Sequence, residues 1–377
     1  MHRGKRILVA LLTAALLVPG AAAAPGERPA LSDLQGHWAQ EEIEQAVAAG
    51  WVEGYPDGTF RPEQPITRAE FTKMLQDAIH LPPDSETVAW LKSISQPQAL
   101  LTDMEDHWLA QGGWLDAALV TGMVVTEDYN YHHFRPEKQI ARYEIALMTT
   151  RALGMVEAGN QHLDSLGYTD DEEILPWMKG YVRTAVAEGV LQGYPDGSFR
   201  PHATSTRAEA VVMLQRMLDN MEEGVTDDIK VQVHCENWGA AETVTLQDPL
   251  TQVVDGVLYL SARDLLEGWD EAAVFQTCSV TWDPIIQRLD GQFGAWTQFQ
   301  AGVQGCAYDV LPWREDLTQA AYHLVRPARM LYGEIMVPVS GAPVTGTGAA
   351  VFNWPAAWDR EKGTMVLNLK TPWNLTP

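Results

Sequence analysis

A nine-residue loop is spelled twice in this chain: GYPDGTFRP at Gly54 to Pro62 and GYPDGSFRP at Gly193 to Pro201, with Ser198 in the place of Thr59. The repeat fixes the register in which the chain aligns on itself, and that alignment restricts the fold to a repeat architecture. Around both loops the same spacings recur. Trp38 and Trp177 stand twelve residues before Gly50 and Gly189, and Arg61 and Arg200 stand seven before Arg68 and Arg207. Between them lies a third copy with Asp103, Trp108, Gly122, Phe134-Arg135-Pro136 and Arg142, and with four more residues between Trp108 and Phe134. Its turn reads TEDYNYHH where the others have GYPDG.

Each copy reads as helix, loop, helix. In the first helix of copy 1, Ile43, Ala46 and Val47 follow the i, i+3, i+4 pattern and Gly50 stands where a helix stops. In the second, Phe71, Met74, Leu75 and Ile79 form the apolar stripe. Pro56, Asp57 and Gly58 supply turn chemistry, and Phe60 is the loop's candidate core residue. TRAE at Thr67 to Glu70 and at Thr206 to Glu209 is a capping box. The arginine inside it is the anomaly: a cation in the first turn opposes the helix dipole at a cost of up to about 1 kcal/mol. Two readings account for it. A helix N-terminus with a guanidinium fork can cradle a carboxylate or phosphate, or the arginine pairs with an acidic neighbour such as Asp33 or Asp57 to hold the copies together.

These residues resemble S-layer homology motifs, whose hallmarks are an Asp–aromatic start, HWA, GYPDGTFRP and ITRAE; the likeness spans residues 31 to 218. The resemblance implies an all-α pseudo-threefold module, three helix-loop-helix repeats around a central helix bundle with grooves between adjacent motifs. It also implies noncovalent attachment of an exported protein to secondary cell-wall polysaccharide bearing pyruvate ketals, with S-layer or other envelope components as possible partners. In that picture Arg68, Arg142 and Arg207 meet the pyruvyl carboxylate, Trp38, Trp108 and Trp177 pack on sugar rings, and Asp33, Asp103 and Asp170 accept sugar hydroxyls. Copy 2 departs from the pattern, since Ala141 cannot cap its helix, a loss of about 1 kcal/mol. In copy 3, Pro176 replaces the histidine before the tryptophan, and Asp170 lies seven rather than five residues ahead of Trp177. The expectation is three unequal grooves, with those of Arg68 and Arg207 the stronger.

The flanking sequence divides the 377 residues as follows: a signal peptide at 1–24, motifs at 25–82, 83–156 and 157–220, a linker at 221–228 and an α+β domain at 229–377. The leader reads from basic MHRGKR, apolar Ile7 to Val18 and small residues up to Ala24; the run is shorter than the roughly 20 residues a membrane span needs. A net charge of −24 argues against nucleic acid as a partner. After residue 228 short alternating strands dominate, as in KVQVH and VTL, with SARDLLEGW as a short helix. DPLTQVVDGVLYLSARDLLEGWD resembles the stalk domain named after copper amine oxidases, which implies a surface-displayed binding or structural module and neither copper nor oxidase activity.

No catalytic motif, metal set or cofactor signature stands out. Asp255, Asp264, Glu267, Asp270, Asp283 and Asp290 are scattered as solvated acids are, and His132 and His133 read as turn residues. Trp354, Trp358 and Trp373 suit packing. Cys235, Cys278 and Cys306 permit at most one intrachain disulfide. The alternative function is a wall-anchored hydrolase with a catalytic domain of unfamiliar sequence.

Overall fold

The computed structural model describes residues 31–95, 101–226, 229–237, 240–254, 257–264, 280–292, 296–300, 305–309, 320–323, 328–338, 357–359 and 364–370. The expected leader, Asp255, Glu267, Asp270, Cys278, Trp354 and Trp373 lie outside them. The N-terminal part is helical and the C-terminal part is built of strands. Copy 1 contains α1 (Gln40–Ala49) and α2 (Arg68–Ala78), followed by α3 (Glu86–Ile94). Copy 2 contains α4 (Trp108–Gln111), α5 (Trp114–Val120), α6 (Arg142–Ala152) and α7 (Val156–Gly159), and copy 3 contains α8 (Pro176–Ala187) and α9 (Arg207–Met221).

Local chemistry explains the boundaries. Gly50 ends α1 in the left-handed conformation at φ 85°. Thr67 and Thr206 cap α2 and α9 in complete boxes with Glu70 and Glu209. At α6 only half of the box exists: Glu144 Oε2 accepts the Ala141 amide at 2.8 Å, and no hydroxyl answers. The first helix of copy 2 is broken at Gly113, φ 78°, where the expectation was a single helix; the second glycine of the Gly112-Gly113 pair takes a conformation that ends α4 and begins α5.

The three copies bond to one another in a ring. The Ile66 amide donates to Ser205 O, the Ile140 amide to Ile66 O, and the Ser205 amide to Ile140 O, at 3.0, 3.0 and 3.4 Å. All three residues lie two positions before an α-helix arginine and are buried. The first amides of each helix are then taken by the next copy's loop. Arg68 and Ala69 donate to Lys138 O and Pro136 O, Arg142 and Tyr143 to Ala203 O and Pro201 O, and Arg207 and Ala208 to Gln64 O and Pro62 O. Helix N-termini leave such donors unpaired, and here another repeat supplies the acceptors for the first two amides of each of these helices. Phe60, Phe134 and Phe199 are fully buried beneath these loops.

The C-terminal part begins at β1 (Val225–Thr226), inside the stretch expected as a linker. With β4 (Thr251–Val254), β5 (Val257–Ser261), β11 (Arg329–Leu331) and β12 (Glu334–Pro338) it forms a sheet of order β1-β4-β5-β12-β11. A second sheet runs β10-β9-β8-β7-β6, from β6 (Val280–Asp283), β7 (Arg288–Gln292), β8 (Trp296–Gln300) and β9 (Gly305–Asp309) to β10 (Ala320–His323). The third joins β2 (Lys230–Asn237), β3 (Ala240–Thr245), β13 (Ala357–Asp359) and β14 (Thr364–Lys370), with β14 parallel to β2.

This strand-rich part sits on the C-terminal ends of α2, α6 and α9. Gln252, buried, donates Nε2 to Met221 O and Glu223 O, both at 2.8 Å, closing α9. Gln287 Nε2 donates to Arg151 O at 2.7 Å at the end of α6, and Trp282 Nε1 to Val120 O at 2.6 Å at the end of α5. Beyond α2, His80 packs edge-on against Tyr332, 5.5 Å between ring centres. Orphan helix carbonyls are thus satisfied by amide and indole donors from the strand-rich part. The arginines occupy the opposite ends of the same helices.

Candidate functional site

Each copy latches its own loop through the aspartate that opens it. Asp33 accepts the Phe60 and Arg61 amides at 2.8 and 2.7 Å, Asp103 those of Phe134 and Arg135 at 2.7 and 2.6 Å, and Asp170 those of Phe199 and Arg200 at 2.8 and 2.6 Å. These bonds hold Arg61, Arg135 and Arg200 at φ 58°, 52° and 56°, a conformation costing a non-glycine residue about 1–2 kcal/mol. Both oxygens of each carboxylate are engaged by the loop, and the lone pairs that remain are the ones open to a hydroxyl. Burial alone would raise the Asp33 carboxyl; the Phe60 and Arg61 amides outweigh it and hold it below its ordinary 3.8.

The Pro-Asp-Gly turns are fastened separately. Asp57 Oδ1 accepts Thr59 Oγ1 at 2.6 Å, and Asp196 Oδ1 accepts Ser198 Oγ at 2.6 Å. The single difference between the two loops therefore preserves the one atom that matters. The Thr59 hydroxyl, the Arg61 guanidinium and the Thr59 amide lower the Asp57 carboxyl from 3.8 to about 2. A depressed carboxyl stabilises the loop above its unfolded pKa and ceases to do so as pH falls through the folded one. The Thr59 amide resonance is therefore expected to titrate with a midpoint near pH 2, read by NMR of the full chain; a midpoint at the ordinary aspartate value would contradict the turn's hydrogen bonding.

The three sequence-predicted arginines are brought to one end of the bundle, each reaching into the next copy's loop. Their exposures are 3% for Arg68, 5% for Arg142 and 7% for Arg207. Because the helix amides beside them are filled by neighbouring carbonyls, an anion site here consists of guanidinium alone, without the helix N-terminus the sequence suggested. Arg68 spends both outer nitrogens, Nη1 on Phe134 O and Nη2 on the Glu144 carboxylate, in a pair buried on both sides. Glu144 belongs to α6; the acidic partner comes from the next copy and is neither Asp33 nor Asp57. Lys138 Nζ lies 3.7 Å from the same carboxylate.

Arg142 and Arg207 are held differently. Arg142 donates Nε to Phe199 O at 3.0 Å and Nη2 to Gln192 O at 2.6 Å, and Arg207 donates Nε to Phe60 O at 3.1 Å and Nη2 to Glu53 O at 3.2 Å. Neither makes an ion pair among the described residues, and the Nη1 of each makes no hydrogen bond among them. Each guanidinium lies over a loop tyrosine, Tyr194 at 4.8 Å and Tyr55 at 5.0 Å from the ring centre. Burial lowers both guanidiniums below the usual arginine range, opposed by Tyr194 and Glu209 at Arg142 and by Tyr55 and Glu70 at Arg207. Arg68 is thus paired within the protein, while Arg142, in the copy without its turn and cap, keeps an open donor.

Trp38, Trp108 and Trp177 are exposed at 60%, 42% and 43%, and Tyr131 and Leu175 are uncovered with them on the helical part. Two further sets of residues escaped sequence reasoning. His37 and His107, each preceding a tryptophan, hydrogen-bond Glu63 and Glu137 at 2.8 and 2.9 Å. The signal was present, because copies with His-Trp also have Arg-Pro-Glu, while copy 3 has Pro176-Trp177 with Arg200-Pro201-His202. Tyr143, next to Arg142, meets Trp177 at 5.9 Å and His202 at 5.5 Å between ring centres, so Trp177 shares its groove with Arg142. Among the described residues no group of acidic, histidine and cysteine side chains is arranged to hold a metal ion, and no helix is long and apolar enough to cross a membrane. His132 lies in a 3-10 turn at Asn130–His132.

Residues 30–72 and 167–211 match the S-layer homology domain family. Over 191 residues the chain is 34% identical to a cellulosome-anchoring protein of Acetivibrio thermocellus, covering 48% of this chain and 38% of that protein. It is 28% identical over 267 residues to the surface-layer 125 kDa protein of Lysinibacillus sphaericus, covering 66% of this chain and 20% of the relative. A third relative, exoglucanase XynX of Acetivibrio thermocellus, is 26% identical over 190 residues, which are 50% of this chain and 16% of the enzyme. The chain thus spans well under half the length of each of these relatives.

Proposed function

We propose that this chain, which carries S-layer homology motifs, anchors noncovalently to the bacterial cell wall by binding an acidic secondary polysaccharide in the grooves between its repeats. The observation that carries the reading is the pair of nine-tenths-buried guanidiniums, Arg142 and Arg207, each with a nitrogen that makes no hydrogen bond and no carboxylate partner among the described residues. Glu209 and Glu70 stabilise these charges from a distance without pairing to them, and a ligand carboxylate on the unused nitrogen adds a charge-assisted hydrogen bond. The exposed tryptophans supply faces for sugar rings, and Asp33, Asp103 and Asp170, while latching their loops, retain acceptor capacity toward hydroxyls. The ring of hydrogen bonds through Ile66, Ile140 and Ser205 supports a pseudo-threefold module of motifs 25–82, 83–156 and 157–220.

Pyruvate ketals are the acidic groups we assign to the ligand, since a compact carboxylate on a sugar ring suits one guanidinium beside an indole. The strand-rich part, seated on the far ends of the bundle helices, then faces away from the wall as a binding or structural module. The test is co-sedimentation of the full chain with purified cell walls, with walls stripped of secondary polysaccharide, and with walls whose ketals have been removed by mild acid. Binding to intact walls that is lost on stripping and on ketal removal is the expected result. Equal binding to all three preparations would overturn the assignment.

A further inference from the structure

The three grooves differ where Arg142 lies. Beside Arg68 and Arg207 the next helical residue is Ala69 or Ala208, and the loop residue after Arg-Pro is Glu137 or Glu63, hydrogen-bonded to the histidine before the tryptophan. Beside Arg142 the corresponding residues are Tyr143 and His202. The Tyr143 ring stands at 88° to Trp177 and 74° to His202, so three rings from two copies form a corner next to an open guanidinium nitrogen. The Tyr143 hydroxyl donates to Glu144 Oε1 at 3.2 Å, which fixes the ring from below. Burial and the Glu144 charge push the phenol up to about 12, leaving it neutral.

We propose that the Arg142 groove is a chemically distinct glycan subsite in which an acidic pyranoside stacks in the Tyr143–Trp177 corner with its carboxylate on Arg142, and that Tyr143 sets its selectivity. The inference rests on the wall-glycan reading and adds to it which groove binds tightest and why. Aromatic walls with one placed charge are the usual makeup of a selective small-ligand site. The other grooves present an alanine methyl and a glutamate at these positions, and so offer less stacking surface and an added negative charge.

The test uses methyl β-D-glucuronide and methyl β-D-glucoside as probes and the full chain, reading the indole N–H signals of Trp177 and Trp38, assigned by Trp177→Phe and Trp38→Phe. The glucuronide is expected to saturate Trp177 at about 10-fold lower concentration than Trp38, and the glucoside to bind far more weakly at both. Tyr143→Ala is expected to abolish that 10-fold difference, leaving Trp38 unchanged, while Tyr143→Phe, which keeps the ring and loses the bond to Glu144, behaves as wild type. Coincident titration of the two tryptophans, or equal losses in Tyr143→Ala and Tyr143→Phe, would overturn the proposal. A response at Trp38 without one at Trp177 would overturn it and leave the wall-glycan reading standing; no response at either would overturn both.

Discussion

Arg68→Ala is expected to destabilise the protein by about 3 kcal/mol, because it strands the Glu144 carboxylate, 3% exposed, without its buried partner. Lys138 Nζ at 3.7 Å softens the loss, which is why the lower end of the usual 3–5 kcal/mol range applies. The cause is separable from simple truncation. Adding Glu144→Gln to Arg68→Ala removes the uncompensated charge and is expected to recover more than half of the lost stability in urea denaturation. A double variant no more stable than Arg68→Ala would mean that the pair is not what holds copy 1 to copy 2. The same substitution is expected to leave wall binding largely in place, since Arg68 has no free outer nitrogen to offer a ligand.

Gly122→Ala is the second large effect. Gly122 adopts φ 76°, and a Cβ there would lie 2.1 Å from Pro284 O, a backbone atom of the strand-rich part. Gly189 has a similar φ of 69° with nothing within 4 Å, so it isolates the conformational cost. Gly189→Ala is expected to cost about 1 kcal/mol, and Gly122→Ala to cost at least twice that, because Pro284 can yield only if the turn carrying Trp282 and Gln287 lifts off α5 and α6. Hydrogen exchange should then rise at the α5 and α6 ends. Equal losses in the two variants would show that the strand-rich part is not seated on these helix ends.

The repeats were legible because their signals are local: glycines at fixed offsets, a Pro-Asp-Gly turn, a Thr-x-x-Glu cap. Phe60 was placed correctly in the core. The partner of Arg68 was not legible, since Glu144 lies 76 residues away and its own local role, in the half-formed cap of α6, conceals a second one across the ring. For the same reason the degenerate look of copy 2 gives no sign of how Arg142 is held. Losing the threonine cap and the Pro-Asp-Gly turn weakens a helix and a loop, but Arg142 acts on the loop of copy 3, which is intact. The backbone bonds of the aspartates to residues 27 to 32 positions later are visible only once the chain is folded. In the C-terminal part, strand alternation was readable, but its seating through Gln252 and Gln287 rests on single side-chain amides that no periodicity marks.

The central claim is that two open guanidiniums, not three, hold an acidic wall glycan. It is tested most directly by the dissociation constant of purified wall polysaccharide for wild type, Arg68→Gln and the double variant Arg142→Gln/Arg207→Gln, each confirmed folded by circular dichroism. The double variant is expected to bind at least 100-fold more weakly than wild type and Arg68→Gln within a few-fold of it. Undiminished binding by the double variant, or a loss in Arg68→Gln as large as in the double variant, would contradict the account.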